Sequence, residues 1–389
     1  MNNFRAAAFA IFIVAIGLVS LLQKPKDWEH VYLPAAIHLR AGENIFRDGY
    51  VYPPFQAMLA APFSCLSARA ARVLWACTNA AAMAVLLASA WRLSGGLSFL
   101  GSESFERREY WILALGLAAA LGFVFDTITN GQTDVIIGAL VIGGCLIATR
   151  GHRLVGAALI GLGAAAKCTP LLFAPYLFLK RRWGSAGILL AVAFIANLLP
   201  DLVAPASDGH SHLLDWGRNY LGAVLGKTYV PGMWATGVEF NHSLAGMLNR
   251  LVAPEYLRAG WAISAITLLA IAVVTIGRAR ATPVSETERF EIGMVLTFML
   301  LLSPVSSKPH FCVLLIPAWA LTREVLMRGD RFLGAIVFLS ALCGLISNKD
   351  LVGRAIYDTL KWHGVITLET LLLFAGCAWA QRNLRQAKS

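Results

Sequence analysis

The chain reads as an all-α polytopic integral membrane protein, a bundle of about 12 transmembrane helices with short interfacial helices in its first outer loop. Three observations predict this. The 389 residues are 58% hydrophobic with a mean hydropathy of +0.65, far above what a soluble core needs. Apolar runs recur along the whole length, and Lys and Arg gather at every second connection between them.

The first run, residues 6–22, follows Arg5 and resembles a signal-peptide core, but no small-residue cleavage site follows it, so a retained signal anchor is expected. Further spans are expected at 69–91, 110–126, 134–149, 153–166, 168–179, 184–203, 257–277, 289–303, 310–327, 331–347 and 363–381, all within one domain, 1–389. Basic clusters at Arg92/Arg107/Arg108, Arg150/Arg153, Lys180/Arg181/Arg182, Arg278/Arg280/Arg289, Arg323/Arg328/Arg331 and Arg382/Arg385/Lys388 then fall on the cytoplasmic side, with both termini. That side collects 18 of the 33 basic but 8 of the 22 acidic residues.

Two long outer loops remain, 23–68 and 204–256, where aqueous chemistry would take place. Gly42, Pro53-Pro54 and Pro62 divide the first into pieces too short to span, which read as interfacial helices. Residues 153–179 pose a length problem. They reach roughly 40 Å as one helix, yet basic clusters flank both ends. Two short helices meeting at "AAAKCTP" would place Lys167 below the outer surface, tolerable only where it is buried in protein or lines a cavity.

The seven cysteines lie scattered in apolar segments without metal-ligand spacing and read as small buried hydrophobes. The net charge of +11 is explained by helix-end topology, since no basic face interleaved with aromatics points to nucleic acid. No outer D-x-D or D-E pair suggests a metal, and no internal repeat is evident.

Several stretches carry a more specific signal: "VYLPAAIHLRAGENIF" and "YVYPPFQAMLAAPF" after the first span, then "NGQTDVIIGAL", "GLGAAAKCTPLLFAPYLFLKRRW", "NHSLAGMLNR" and "LLSPVSSKPHF". In this order they resemble the GT-C class of membrane glycosyltransferases, and within it glycosyltransferase family 87, the polyprenol-phosphate-mannose-dependent mannosyltransferases. The resemblance implies a GT-C-like bundle and transfer of a hexose, mannose in that family, from a polyprenyl-phosphate donor. It also implies inversion, a glycolipid or glycan acceptor at the non-cytoplasmic face of the plasma membrane, and no metal or other cofactor. The chain carries a single His310 where the family commonly has an aromatic and paired histidines. Its first-loop spacing leaves Asp27 and Glu29 as alternatives for one acidic position.

Such a reaction needs a base for the acceptor hydroxyl and positive charge for the departing phosphate. Asp27, at the outer end of the first helix, is the expected base; without the resemblance, "KPKDWEH" reads as a solvated interfacial charge run. Lys167 is the expected phosphate ligand, although the residues alone fit a helix-end lysine equally well. Gln132 and Asn130, with Asp134, stand at a polar turn able to bind sugar hydroxyls. Asn241 opens a short helix as ligand or cap, and Arg250 on that helix is a second phosphate ligand or an interfacial anchor. His310 completes the substrate-binding set, and Glu369, in the last span, should face a polar partner or cavity. A transporter or flippase of a lipid-linked substrate is the rival reading, because intramembrane Lys and Glu also mark transport pathways; the missing second half argues against it.

Overall fold

The computed structural model describes residues 2–23, 25–100, 105–221, 232, 234–278 and 284–386. Part of the second outer loop, 222–231 and 233, together with Arg280 and Lys388, lies outside the described residues. Every apolar segment expected to span is helical. The helices are α1 Asn2–Leu22, α2 Leu33–Arg40, α3 Pro54–Ala60, α4 Ala68–Leu93, α5 Arg107–Asn130, α6 Asp134–Thr149, α7 Arg153–Ala166, α8 Phe173–Leu179 and α9 Trp183–Val203. There follow α10 His212–Trp216, α11 Leu244–Leu251, α12 Leu257–Arg278, α13 Val284–Leu301, α14 Leu315–Arg328, α15 Arg331–Ile346, α16 Lys349–Val352, α17 Arg354–Trp362 and α18 Val365–Gln386.

Among the described residues six helical segments are long and apolar enough to cross a membrane, or seven if α17 and α18, bent by 57° at their junction, count as one span. The chain is thus a multi-pass membrane protein. Asp134–Thr149, Arg153–Ala166, Thr169–Leu179 and Arg331–Ile346 are apolar but shorter than a full crossing. The all-helical membrane architecture is thus as expected, while six or seven full-length spans do not establish the expected twelve.

The segment 153–179 breaks where the sequence suggested. Lys167 leaves α7 in an extended conformation (φ −153°, ψ 122°), and a 3₁₀ turn, Thr169–Leu172, leads into α8. Gly184 at the start of α9 lies against Leu154 at the start of α7, and the Asn197 amide donates to the Ala165 carbonyl near the other end. Hence α7 and α9 run parallel, and the Arg150 and Lys180 ends share one end of the bundle. Small residues let these backbones close up: a Cβ on Gly144 would stand 2.6 Å from the Gly156 carbonyl, and one on Gly161 2.7 Å from that of Leu189.

The other basic clusters meet at that same end. Arg323 grips Glu109 through two hydrogen bonds of 2.7 and 2.6 Å, Arg289 reaches Glu324 at 2.9 Å, and Arg182 and Lys180 reach Glu288 and Glu291 at 2.5 and 3.0 Å. Arg5 lies over the Phe105 ring. The grouping read from Lys and Arg spacing is therefore one physical end of the molecule. The described parts of the two long loops lie at the opposite end.

The interfacial helices appear as α2, begun by a π-helical turn at Trp28–Tyr32, and α3, continued by a 3₁₀ turn at Ala61–Cys65. Proline at the first position of α3 costs no hydrogen bond there, and Ser67 caps α4 by accepting from the Ala70 amide. The cysteine expectation needs one correction. Cys145, Cys312, Cys343 and Cys377 are buried and Cys168 is half-buried, but Cys65 and Cys77 are exposed.

Candidate active site

At the loop end the bundle encloses a cavity of about 370 Å³, within the usual range for a small-molecule site. Its polar wall is made by Asp27, Gln132, Lys167, Ser307 and His310, which come from four well-separated parts of the chain.

Asp27 is placed by aromatic packing. It directly precedes the π-helical turn, in which Trp28 is buried and stacks on Trp75 of α4 with ring centroids 4.2 Å apart. The Trp75 indole donates to the Gly131 carbonyl at 3.1 Å, tying the first loop to the α5–α6 turn. Only glycine fits there: φ at residue 131 is +65°, and a Cβ would meet Pro25 at 2.4 Å. This closure sets Gln132 opposite Asp27, and its amide donates to Asp27 Oδ2 at 2.5 Å. Burial raises the Asp27 carboxyl above its ordinary range. The Gln132 hydrogen bond opposes that rise, and the charges of Asp134 and Asp126 add to it. Glu29 is directed elsewhere, into an ion pair with Arg72, and does not line the cavity. Geometry therefore separates the two acids that sequence spacing left open.

Lys167 projects from the break between α7 and α8, and its ammonium lies 2.7 Å from Asp134 Oδ1 and 5.9 Å from the centre of the Tyr52 ring. His310 stands on the same wall. Its Nδ1 accepts from the Ser307 amide at 3.1 Å, which leaves Nε2 to carry the proton, with Ser307 Oγ at 3.3 Å and Asp134 Oδ2 farther off at 3.6 Å. Asp134 thus lies behind the wall, between Lys167 and His310, and does not line the main cavity.

Three other candidates sit outside it. Asn130 donates from its side chain to the Asp126 carbonyl at 2.8 Å, closing the last turn of α5. Asn241 is fully buried and spends its amide on backbone, donating to Thr236 and Pro304 and accepting from Ser243 and Ser306. Arg250 donates to the carbonyls of Trp362, Val238 and Asn241. These contacts stitch the loop end together, and none of the three residues lines the cavity. Glu369 departs from expectation: it is fully buried, and neither carboxylate oxygen has a hydrogen-bond partner.

Tyr32, Tyr52, Trp216 and Tyr220 form much of the opposite wall and were not singled out from sequence. The "YVYPPF" stretch was the available signal for Tyr52. Nothing local marks Trp216 and Tyr220, whose side chains donate to the Val51 and Tyr50 carbonyls across 165 and 170 residues. Among the described residues no group of three or more His, Cys, Asp or Glu side chains is arranged to hold a metal ion.

A sequence model of glycosyltransferase family 87 matches residues 50–304, two-thirds of the chain. The chain belongs to glycosyltransferase family 87. Among similar proteins, a polyprenol-phosphate-mannose-dependent α-(1-2)-phosphatidylinositol pentamannoside mannosyltransferase of Mycolicibacterium smegmatis is 29% identical, over 84% of this chain and 76% of that one. A polyprenol-phosphate-mannose-dependent α-(1-2)-phosphatidylinositol mannoside mannosyltransferase of Mycobacterium tuberculosis is 28% identical, over 69% of this chain and 60% of its own. A crystal structure of ArnT from Cupriavidus metallidurans bound to undecaprenyl phosphate aligns with 97% of this chain and 76% of its own, at 15% identity and a TM-score of 0.40.

Proposed function

We propose that this family 87 protein is an inverting mannosyltransferase that moves mannose from a polyprenyl phosphate to a hydroxyl of a glycolipid or glycan acceptor, at the non-cytoplasmic face of the plasma membrane. The observation that carries the reading is the convergence of Asp27, Gln132, Lys167 and His310 on one cavity at the end of the bundle opposite the basic clusters. The activities of the similar mycobacterial proteins supply the donor and the acceptor class.

In this reading the acceptor hydroxyl attacks the anomeric carbon from the side opposite the phosphate. The bond from that carbon to the phosphate oxygen breaks, and the phosphate keeps the electron pair. The hydroxyl proton passes to Asp27. A carboxylate whose basicity is raised by burial and that has no cation bound to it is suited to take that proton, and Gln132 fixes its orientation. Lys167 and His310 bind the donor around its phosphate, where the ammonium meets the charge that builds as the bond breaks. Both termini are cytoplasmic, following the Lys and Arg distribution.

The test is to give the purified protein labelled prenyl-phosphate mannose and acceptor. Release of prenyl phosphate with a mannosylated acceptor of inverted anomeric configuration is expected. Donor that crosses a vesicle bilayer chemically unchanged would establish the flippase instead. Single cysteine labels at the exposed residues 44 and 355 should react from outside the cell and those at 100 and 181 only from inside; the reverse pattern overturns the stated face.

A further inference from the structure

Lys167 does not wait in the cavity as a free cation. Its ammonium is 2.7 Å from Asp134, a residue only 6% exposed, and the second oxygen of that carboxylate is buried with no hydrogen-bond partner, 3.6 Å from His310 Nε2. An ion pair of this geometry neutralises the one cation that the described residues place on the polar wall before any substrate arrives. An ammonium has three hydrogens, and a single carboxylate oxygen at 2.7 Å takes one. The others remain for an oxyanion on the cavity side.

We propose that Asp134 is a positioning residue, the resting counter-ion that Lys167 shares with the donor phosphate, and that its charge keeps the leaving prenyl phosphate from being held too tightly. The inference rests on the phosphate assignment made above and adds a second carboxylate to it. The physical argument concerns charge balance through turnover. The donor is a phosphodiester with one negative charge. Breaking its bond to the sugar leaves a phosphomonoester that carries a second. A lysine without a counter-ion would bind that product more strongly than the substrate, and release would suffer. The Asp134 carboxylate, fixed behind the ammonium at the start of α6, repels both phosphates and repels the more highly charged product more. The His310 ring bounds the other side of Asp134 and keeps it from turning into the cavity.

The experiment measures binding and turnover separately. Binding of farnesyl phosphate to the purified protein is titrated for the wild type, Asp134→Asn, Lys167→Met and the double variant. Asp134→Asn should bind farnesyl phosphate about tenfold more tightly, show a lower donor KM, and turn over more slowly with stronger product inhibition. A purely structural ion pair predicts the opposite in binding, since a loosened Lys167 would hold phosphate less well; weaker or unchanged binding overturns the proposal. The double variant guards against misfolding of the single one. With Lys167 already absent, removing Asp134 relieves repulsion alone, so Asp134→Asn/Lys167→Met should bind more tightly than Lys167→Met, and equal or weaker binding again overturns the proposal. Wild-type protein that binds no farnesyl phosphate would overturn the phosphate site itself, a result distinct from a failure of the counter-ion.

Discussion

The charges at the loop-end cavity are spent differently from those paired at the basic end, although Lys361 near the loop end is also buried in ion pairs with Glu239 and Asp358. At the basic end, Glu109, Glu288, Glu291 and Glu324 each meet a cation, and Glu291 accepts from Tyr176 and Gln381 as well as Lys180. Those pairs fix helix to helix and leave little for a ligand. At the loop end, Asp27 has an amide as its partner and no cation, while Lys167 has a single carboxylate contact and an open cavity beside it. A buried carboxylate without a cation costs stability, so its presence in a cavity points to chemistry. The comparison separates charge that builds the fold from charge kept available for substrate.

The sharpest way to break that comparison is Asp27→Asn. Loss of a positioned base should lower kcat by at least about 10²-fold. Because burial holds the Asp27 carboxyl above its unfolded value, the ionised form costs the folded state stability at neutral pH, and the variant should melt at or above the wild-type temperature. The same shift places the acid limb of the wild-type rate profile above the usual carboxylate range. Glu29→Gln should leave kcat nearly unchanged, since Glu29 faces Arg72; an inactive Glu29→Gln with an active Asp27→Asn would reverse the assignment.

Lys167→Met should come next, raising donor KM and lowering kcat, each by roughly tenfold. Lys167→Arg should keep part of the activity because the charge survives in altered geometry. Unchanged donor kinetics in Lys167→Met, measured across donor concentrations, would reduce the lysine to a helix-end anchor. At the other end, Arg323→Met leaves the half-buried Glu109 without its two-pronged partner and should destabilise the protein by about 2 kcal/mol. Donor KM should not move, and a shift in KM without loss of stability would erase the distinction between the ends.

Periodicity and Lys/Arg placement made the helices and the two ends legible, because lipid burial and topology act on local segments. The break at Lys167 was legible for the same reason: two short helices and a cation cannot lie in lipid without protein around them. Of the residues that line the cavity, Lys167 was legible as a cation out of place, whereas Asp27, Gln132 and His310 were picked out through the family resemblance. Partnerships were not legible, because Asp134–Lys167 and Gln132–Asp27 join residues 33 and 105 positions apart and leave no local pattern. Asn241 is the converse case. An asparagine in a polar loop motif suggests a ligand contact, and only its four backbone hydrogen bonds reveal a staple.

His242, the neighbour of that staple, gives the smallest and most specific test. Its backbone joins two segments of the loop end, donating to the Ser306 carbonyl and accepting from Thr367, while its ring is buried with Nδ1 unpartnered. Burial, with Arg250, Lys308 and Lys361 nearby, pushes the imidazole down to about 3. The unfolded chain therefore takes up a proton near the ordinary histidine value of about 6.5, while the folded chain does not. Stability contributed by the neutral ring is fully present above that pH and is lost progressively as pH falls from there toward 3, by up to about 1.4 kcal/mol per pH unit. His242→Asn removes the titrating group, so its melting temperature should fall less steeply between pH 6.5 and 4.5 than the wild type's. Since the ring lies outside the cavity, donor KM at neutral pH should stay within about twofold of wild type. Parallel pH slopes for the two proteins would mean that acid sensitivity resides in another group, and a large KM change would extend the ligand-facing region past the staple.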